Sequence, residues 1–499
     1  MNALERDALQ VLGLVRSLRN SLAPINRIPP EVLSLIPDYY EDDGEDQDLI
    51  ALTHVCHGWR DIFTSRSSLW TQLAFPNIDS TRTYIQRSKS SPLEIWLDDS
   101  QDETYLEASS LIIPHIHRLK HLSISGDTLP GILSHFHCQL PLLEWLDIHI
   151  IGPRDQTLDD ALFGGNLSSL RQLHLHGVIT HLPWKNMANL DVVDLRSCRP
   201  GYGVTQLLDF FESAPRLHTV RLGGSIPNSS DAPPDRTVAL RHLGTFTIRA
   251  DPPYSVLLNH LHIPTGTMMV LGFCFRGERY PLLDCLPKVS TNLSNLSHIT
   301  TINLLFDSTE KFARLVGPSG CFLVNAHWEG RATNSYFIDR QILQTFGPPI
   351  LSTALRLAIS QYRRSISPGA EDCPVFRTLS NTSNLQTLVL NECNNLPFIL
   401  ALNPQENPSK LTLCPKLIEL VLYIKRRDRF HLKHLLSMAE HRASEGAKLL
   451  SITFIGLGGF VPGDEVLKLK ENVTDVVCLV DGAPPAWDNL PPESAGESG

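Results

Sequence analysis

The sequence has no long apolar run and no paired cysteines, and both absences restrict where the protein works. None of its apolar stretches approaches the roughly 20 residues that cross a bilayer. The first residues do not form a charged-then-apolar signal segment, because Glu5, Asp7 and Arg16 interrupt them. The ten cysteines occur singly, without a Cys-x-x-Cys pair, which favours free thiols in a reducing compartment. We therefore expect a cytoplasmic or nuclear protein that is neither secreted nor membrane-bound.

An excess of positive charge is also missing. The chain has 43 Lys and Arg residues against 53 Asp and Glu residues, a net charge of −10. Binding to nucleic acid without regard to sequence needs a basic surface. Nucleic acid is therefore not an expected partner.

Motifs for catalysis or cofactor binding are absent as well. There is no Gly-x-Ser-x-Gly nucleophile elbow, and Gly456–Gly459 lacks the Lys-Ser/Thr of a phosphate loop, so we expect a turn there. The histidines at His135–Cys138 and at His149, His174 and His176 would lie in one loop or on a flat ladder of strands. Zinc needs three or four ligands that converge tetrahedrally, so we predict no metal, no cofactor and no enzymatic activity. A Ser/His/Asp or Cys/His arrangement built from distant positions remains open, without any local spacing that supports it.

The first 24 residues carry an apolar stripe with heptad spacing. Its members are Leu4, Ala8, Val11, Val15, Leu18 and Leu22. The stripe predicts an amphipathic helix that ends before Pro24. Three heptads are too few to assert a coiled-coil dimer, so we expect the stripe to pack on its own chain.

Residues 25–75 combine three local patterns. Pro29 and Pro30 start a short helix, since Pro in the first turn loses only an orphaned N–H, and Glu31 complements the helix N-terminus. Pro37 is expected to end this helix. A second amphipathic helix is predicted from apolar residues at threes and fours, namely Leu49, Leu52, Val55, Cys56, Trp59, Ile62 and Phe63. The pair Leu69-Trp70 follows.

In this order the block resembles an F-box, the helical module by which substrate receptors dock onto the Skp adaptor of cullin-RING ubiquitin ligases. The resemblance implies adaptor contacts by Ile28, Pro29, Leu33, Val55, Trp59 and Trp70. The Pro-Ile-x-Arg-Ile-Pro-Pro-Glu junction is similar to that of F-box-domain proteins from mushroom-forming (basidiomycete) fungi. His57 and Gly58 stand where the family often has basic residues, and the acidic run Asp38–Asp48 is expected to be a solvated loop. The alternative is that Trp59 and Trp70 are core residues of a helical cap.

Behind this block the string Leu-x-x-Leu-x-Leu, allowing Ile, Val or Phe, recurs. It begins at Leu119, Leu143, Leu170, Leu190, Leu217, Leu243, Ile299, Leu385, Leu417 and Leu449, and further strands are expected at Met268–Phe275, Cys321–Ala326 and Ala354–Ile359. Intervals of 20 to 27 residues up to Leu243 are typical of leucine-rich repeats, whose strand-plus-helix units stack to share a core. Cys198 and Cys393 stand where these repeats place Asn or Cys, and a buried thiol there can bond a neighbouring backbone group.

Alternation along these strands predicts which side chains point away from the core. Aligned repeats bring together Trp145, Asp147, His149, His174, His176, Asp194, Arg196, Arg221 and Arg249, with Gln172 and Gly223 among them. We interpret these rows as a client-binding surface anchored by Trp145. A solvated sheet face with locally paired charges is the alternative. Residues 387–391 and 419–423 are expected to form a less charged continuation.

The predicted fold class is α/β. A heptad helix at 1–24 precedes an F-box-like module at 25–75, a leucine-rich-repeat solenoid at 91–481 and a disordered tail at 482–499. Parallel strands are expected inside the solenoid, with helices or irregular segments outside. The resemblance implies the substrate-recognition adaptor of an SCF-type (Skp–cullin–F-box) ubiquitin ligase. A repeat scaffold that is not coupled to ubiquitination is the alternative.

Overall fold

A computed structural model describes the chain at residues 3–39, 47–73, 78–98, 110–126, 133, 136–150, 157–158, 162–165, 167–180, 187–227, 230–251, 254–275, 292–306, 310–318, 320–328, 348–360, 374–407, 409–425, 431–457 and 464–480. The chain divides into two compact units, Met1–Val192 and Val193–Gly499.

The first unit begins with helices and continues with strands. Its α-helices are α1 (Ala3–Leu22), α2 (Pro30–Leu33), α3 (Gln47–Thr53), α4 (His57–Ser65) and α5 (Ile78–Ser88). Short 3-10 helices span Pro24–Arg27, Ile36–Tyr39, Ser67–Trp70, Ile113–Arg118 and Leu162–Gly165. The strands are β1 (Gln72–Leu73), β2 (Leu93–Asp98), β3 (Leu119–Gly126), β4 (Trp145–Ile150), β5 (Gln172–His176) and β6 (Ile179–Thr180).

Strands β1 to β5 lie side by side in chain order, and every neighbouring pair is parallel. One face is fully buried, because apolar residues alternate along each strand, as Leu146 and Ile148 do in β4. The side chains between them, such as Trp145 and Asp147, are half-buried on the opposite face. The sheet therefore offers one core face and one accessible face.

A recurring turn explains why each apolar string leads into a strand. The amide of Leu143 donates to the carbonyl of Leu140 at 3.2 Å, and β4 begins two residues later at Trp145. The same turn closes at Leu170, Leu190, Leu217, Leu243, Leu385 and Leu417. The first Leu of the string is thus buried at the turn, and the later apolar positions fill the core face of the strand.

The second unit alternates strands with helices. Its strands are β7 (Val192–Pro200, beginning at the boundary), β8 (Thr219–Ser225), β9 (Val238–Ala239), β10 (Thr245–Asp251), β11 (Leu261–His262), β12 (Met268–Phe275), β13 (Thr301–Phe306), β14 (Glu310–Val316), β15 (Cys321–Trp328), β16 (Arg356–Ser360), β17 (Thr387–Asn391), β18 (Glu419–Lys425), β19 (Ser451–Leu457) and β20 (Asp475–Val480). Its helices are α6 (Val204–Ser213), α7 (Ser255–Leu258), α8 (Pro348–Leu351), α9 (Pro374–Ser380), α10 (Leu396–Leu402) and α11 (Leu432–Ser444), with 3-10 helices at Ser294–Leu296 and Asp464–Glu471.

Most strand pairs of this unit are parallel, with one interruption. Strands β8, β10 and β12 are parallel neighbours, and β12 then pairs with β15. Strand β14 runs antiparallel between β15 and β13, and β13 pairs in parallel with β16. Strands β16 to β20 continue as parallel neighbours in chain order. The two short strands β9 and β11 form a separate parallel pair.

The predicted α/β class is confirmed: helices come first, followed by a mostly parallel sheet with helices, which is consistent with a solenoid. The strand expected at Met268–Phe275 is observed with those bounds, and those expected at Cys321–Ala326 and Ala354–Ile359 correspond to β15 and β16. The helix expected to end before Pro24 is α1. The domain bounds remain predictions. The tail predicted at 482–499 lies outside the described residues, and so does the part of the acidic run Asp38–Asp48 that spans residues 40–46.

Three local predictions are wrong. The helix predicted over Leu49–Phe63 is two helices, because Cys56 is extended (φ −159°, ψ 173°) between α3 and α4. The first short helix ends at Leu33, before Pro37, which lies in a 3-10 helix instead. The heptad stripe of α1 does not pack on its own chain: the described members Val11, Val15, Leu18 and Leu22 are all more than half exposed.

Candidate interaction surfaces

A small apolar core holds together the short helices between Ile28 and Leu69. Leu33, Trp59 and Phe63 are buried against each other, and the Trp59 and Phe63 rings meet edge to face at 5.6 Å. Partly buried residues surround them, namely Ile28, Ile36, Leu52, Cys56, Ile62 and Leu69. Leu33 and Trp59, both expected to contact an adaptor, therefore lie mainly inside the module.

Polar side chains fix the helices around this core. The Trp59 indole N–H donates to Asn26 Oδ1 at 2.6 Å, and Asn26 Nδ2 donates to the Asn20 carbonyl at the end of α1, at 2.8 Å. Arg60 Nε donates to the Thr53 carbonyl at 3.0 Å, which satisfies an orphan carbonyl at the end of α3. These bonds hold α1, α3 and α4 in fixed positions.

Trp70 links the module to α5. It is fully buried, and its indole N–H donates to the Phe63 carbonyl at 2.9 Å. Tyr84 packs on it edge to face at 5.0 Å, and the Arg87 guanidinium lies 4.2 Å from the ring centroid, a cation–π contact. Trp70, the third buried member of the predicted adaptor set, supports the module from within.

The accessible apolar residues of the module form a different set. Of the predicted six, Ile28 is half-buried, Pro29 is exposed and Val55 is 53% exposed. The predicted adaptor contacts did not include four exposed large apolar side chains, namely Ile25, Val32, Leu35 and Ile50. Val32 and Leu33 are adjacent on one short helix and point to different sides, so apolar character alone could not separate them. We call Ile25, Ile28, Pro29, Val32, Leu35, Ile50 and Val55 the docking residues.

The accessible face of β2 to β5 carries stacked aromatic rings. The predicted register of β4 and β5 is confirmed, with Trp145 opposite Gln172, Asp147 opposite His174 and His149 opposite His176. The rings of Trp96, His121, Trp145 and His174 follow one another at centroid distances of 4.9, 4.9 and 5.0 Å, and the last two contacts are stacked. His149 and His176 meet edge to face at 4.2 Å. We call Trp96, His121, Trp145 and His174 the aromatic row.

The surroundings of His121 favour the neutral form of its ring. Burial lowers the pKa of the His121 imidazole, and Lys120 lowers it further, while Glu94 opposes both. The Trp145 indole N–H is buried and makes no hydrogen bond within the described part of the chain. The row is thus a half-exposed strip of rings in which the Trp145 N–H is an unsatisfied donor.

Three of the four predicted site residues of the second unit pair with each other. Asp194 is 1% exposed and accepts from Arg196 Nε at 3.1 and 3.2 Å, and from Arg221 at 3.4 Å. Arg249 is exposed and stands opposite Gly223 on the neighbouring strand, the expected alignment. Ion pairs within the chain therefore involve three of the charged residues that were predicted to bind a client.

The less charged continuation of this surface is largely buried. Ala358, Val389, Tyr423 and Ile455 form a buried apolar cluster on strands β16 to β19. Asn391 is also buried, and its Nδ2 donates to Ser360 Oγ at 3.1 Å. The expectation of a surface at 387–391 and 419–423 is therefore wrong at Val389, Asn391 and Tyr423, because apolar side chains fill both faces of these strands.

The predicted role of a repeat cysteine is confirmed at one position. Cys393 is buried, and its thiol lies 3.1 Å from the Ile359 carbonyl and 3.3 Å from the Asn391 carbonyl, as a weak donor. In the described ranges no three His, Cys, Asp or Glu side chains come together as a metal site, and His135 falls outside those ranges. Every helix in the described part of the chain is too short or too polar to cross a membrane.

Comparison with known protein families identifies one match. The F-box-like family model matches residues 25–76, the segment built around Leu33, Trp59 and Phe63. No curated protein matches the chain. F-box domains in general bind the Skp adaptor within cullin-based ligases, and proteins that carry them are typically non-enzymatic adaptors. Residues 25–76 are thus an F-box-like domain, which supports a role among the adaptors of SCF-type ubiquitin ligases.

Proposed function

We propose that the protein is the substrate-recognition adaptor of an SCF-type ubiquitin ligase, working in the cytoplasm or nucleus without a catalytic site, cofactor, nucleic acid or membrane partner of its own. The F-box-like domain docks the Skp adaptor, and the strand region, which we interpret as leucine-rich repeats, binds the client. The observation that carries this proposal is the F-box-like match on a module whose docking residues, apart from half-buried Ile28, are exposed around a buried core.

The exposure pattern divides the six predicted contacts into two roles. Pro29, Val55 and the accessible part of Ile28 are available to touch the adaptor, together with the other docking residues. Leu33 and Trp59 shape the surface from below, as does Trp70 at its edge. Exposed large apolar side chains concentrated on so small a module are typical of a protein interface.

Co-purification with the Skp adaptor tests the docking half. Val32→Asp and Val55→Asp each place a charge at an exposed position, so the fold should persist while adaptor capture is lost. Leu142→Asp is the matched control, since Leu142 is 45% exposed and lies outside the domain. Failure of the folded native chain to capture the adaptor would overturn the proposal. The alternative scaffold function predicts that result together with continued client capture.

The aromatic row supports the client-binding half. Its rings are already ordered by stacking, so these side chains lose little conformational entropy when a partner covers them. The flanking predicted residues Asp147, His149 and His176 lie on the same face and would supply polar contacts at the rim. In the second unit, Arg249 and parts of Arg196 and Arg221 are exposed charges, while buried Asp194 holds Arg196 and Arg221 in place.

The client test compares captured proteins between variants. The double variant Trp96→Ala/His174→Ala shortens the aromatic row at both ends, and Leu450→Asp is a control at an exposed residue of the second unit. Clients are the proteins held by the native chain and by Leu450→Asp but released by the double variant. They should also be ubiquitinated by the reconstituted ligase. If the native chain, Leu450→Asp and the double variant capture the same proteins, the aromatic row does not bind clients.

A further inference from the structure

Two hydrogen bonds in the second unit join Ser230, His260 and Arg236 in a line. The Ser230 hydroxyl oxygen lies 2.9 Å from His260 Nε2, and His260 Nδ1 lies 2.8 Å from the Arg236 carbonyl oxygen. Because a carbonyl oxygen only accepts, Nδ1 donates to it, and in the neutral imidazole the lone pair is then on Nε2. The Ser230 hydroxyl donates to that lone pair, which is the arrangement in which a histidine takes the proton of a nucleophilic serine.

The His260 ring is fixed in this orientation. The residue is only 4% exposed, so its surroundings leave little room for another rotamer. Its backbone amide donates to the Leu257 carbonyl at 3.0 Å, and its carbonyl accepts from the Val238 amide at 2.8 Å. The proton acceptor is therefore in position before any reagent arrives.

The loop that carries Ser230 is anchored, although Ser230 itself is exposed. The next residue, Asp231, accepts from the Thr205 amide at 2.9 Å in the first turn of α6. Farther along the loop, Arg236 donates to the Asp209 carboxylate of the same helix at 2.6 Å. A reagent in solution can thus reach the Ser230 oxygen while that oxygen stays opposite the imidazole.

A backbone donor also contacts the Ser230 oxygen. The Ala232 amide donates to Ser230 Oγ at 3.2 Å. A preorganised N–H group stabilises the negative charge that grows on an oxygen as it loses its proton. Ser230 and His260 are 30 positions apart, so no local motif in the sequence contains this pair.

We propose that Ser230 is a nucleophile, activated by His260, that accepts the acyl group of an activated carboxylic ester. A bond forms between Ser230 Oγ and the carbonyl carbon of the ester, and the bond from that carbon to the leaving oxygen breaks. The serine proton passes to His260 Nε2 and then to the leaving oxygen or to water. This single transfer modifies the chain itself without turnover; it goes beyond the adaptor function and does not rest on it.

The full chain treated with p-nitrophenyl acetate tests this reactivity. We expect a fast phase of p-nitrophenolate release, with the acetyl group found on Ser230 by peptide mass spectrometry. Ser230→Ala should remove the fast phase. Ser437→Ala is the matched control and should retain it, since Ser437 also contacts a histidine ring, at 3.3 Å from His441 Nδ1.

Two further measurements test the role of His260. His260→Asn keeps a side-chain N–H near the position of Nδ1 but has no proton acceptor near that of Nε2, so acetylation of Ser230 should slow about 100-fold. Unfolding the native chain in urea separates the two residues without a substitution and should slow the reaction to a similar extent. Absence of acetylation at Ser230 in the folded native chain, or the native rate in His260→Asn or in urea, would overturn the proposal.

Discussion

Arg442 is a fully buried cation whose hydrogen bonds go to backbone carbonyls. It donates to Leu413 O at 2.7 Å and to Cys414 O at 2.9 Å. Cys414 adopts a left-handed conformation (φ 47°), which is uncommon for a residue with a side chain. Burial lowers the pKa of the Arg442 guanidinium and raises that of the Cys414 thiol to about 11. The cation thus secures the strained turn that leads into β18.

We predict that Arg442→Met destabilises the second unit by about 3 kcal/mol, because two buried carbonyls lose their donors. Thermal unfolding measures the loss as a lower transition temperature. Lys448→Met is the control, since Lys448 is exposed and its replacement should change stability by less than about 0.5 kcal/mol. Equal stability of both variants would contradict the assigned role.

Asp231 caps a helix that is far away in the sequence. Its Oδ1 accepts from the Thr205 amide at 2.9 Å in the first turn of α6, and Gly203 lies against the carboxylate. This hydrogen bond lowers the pKa of Asp231. Because the folded-state pKa is the lower one, the stabilisation is complete above the ordinary carboxyl range and is lost as the pH falls through the folded value.

Asp231→Ala should therefore cost about 1 kcal/mol at neutral pH, the usual value of an N-terminal cap. The cost should shrink as the pH is lowered below the ordinary carboxyl pKa. Denaturant unfolding of native chain and variant at both pH values measures the difference. Asp235→Ala changes an exposed carboxylate of the same loop and should show neither effect.

At the scale of single residues, the sequence predicts contacts that are fixed by a local pattern, and it does not predict contacts that only the fold creates. The bond from Cys393 to a neighbouring backbone carbonyl was predictable, because its place in the repeat fixes its surroundings. The roles of Arg442 and Asp231 were not, since each depends on a partner more than 20 residues away whose proximity only the fold creates. Likewise, the repeat pattern placed Asp194 on an accessible face, and the structure buries it between two arginines.

At the scale of elements, Gly58 is a weak point of α4. It lies in the first turn, and an added Cβ would meet nothing closer than Cys56 Sγ at 4.0 Å. Gly58→Ala should therefore stabilise the F-box-like domain by about 0.5 kcal/mol, because Ala loses less backbone entropy on folding. Thermal unfolding checks the gain. Gly203→Ala is the opposite case: its Cβ would collide with the Asp231 carboxylate, so that variant should lose stability.

Strand positions and the chain-order pairing of most strands were predictable, whereas the order of β13, β14 and β15 was not. The string Leu-x-x-Leu-x-Leu encodes a turn and an alternating strand, both of which are local. Strand β14 carries no such string, and its antiparallel pairing with β13 and β15 reverses the local order of the sheet. Which strands become neighbours depends on long-range pairing, and a local pattern does not contain that information.

The helical module shows the same division. The sequence indicated helices around Pro30 and Trp59 but merged α3 with α4, because the apolar spacing continues across extended Cys56. It also selected Leu33, Trp59 and Trp70 as contacts, since interior and interface residues are equally apolar. Only the packed structure separates the residues that form the core from those that remain free to dock.

At the scale of the molecule, the first unit carries two separate features. The F-box-like domain and the aromatic row both belong to it, and the charges around Asp194 belong to the second unit. We expect adaptor docking and client binding to respond to different substitutions. Val55→Asp should affect docking alone, and the double variant Trp96→Ala/His174→Ala should affect client capture alone.

The most direct test is the affinity of the purified full-length chain for the purified Skp adaptor, measured by titration calorimetry with native protein and Val55→Asp. We predict saturable binding by the native chain and a loss of about 30-fold or more in the variant, corresponding to about 2 kcal/mol for a buried interface residue. Unchanged thermal unfolding of the variant would show that the domain remains folded. A folded native chain that does not bind, or equal affinity of both proteins, would contradict the account.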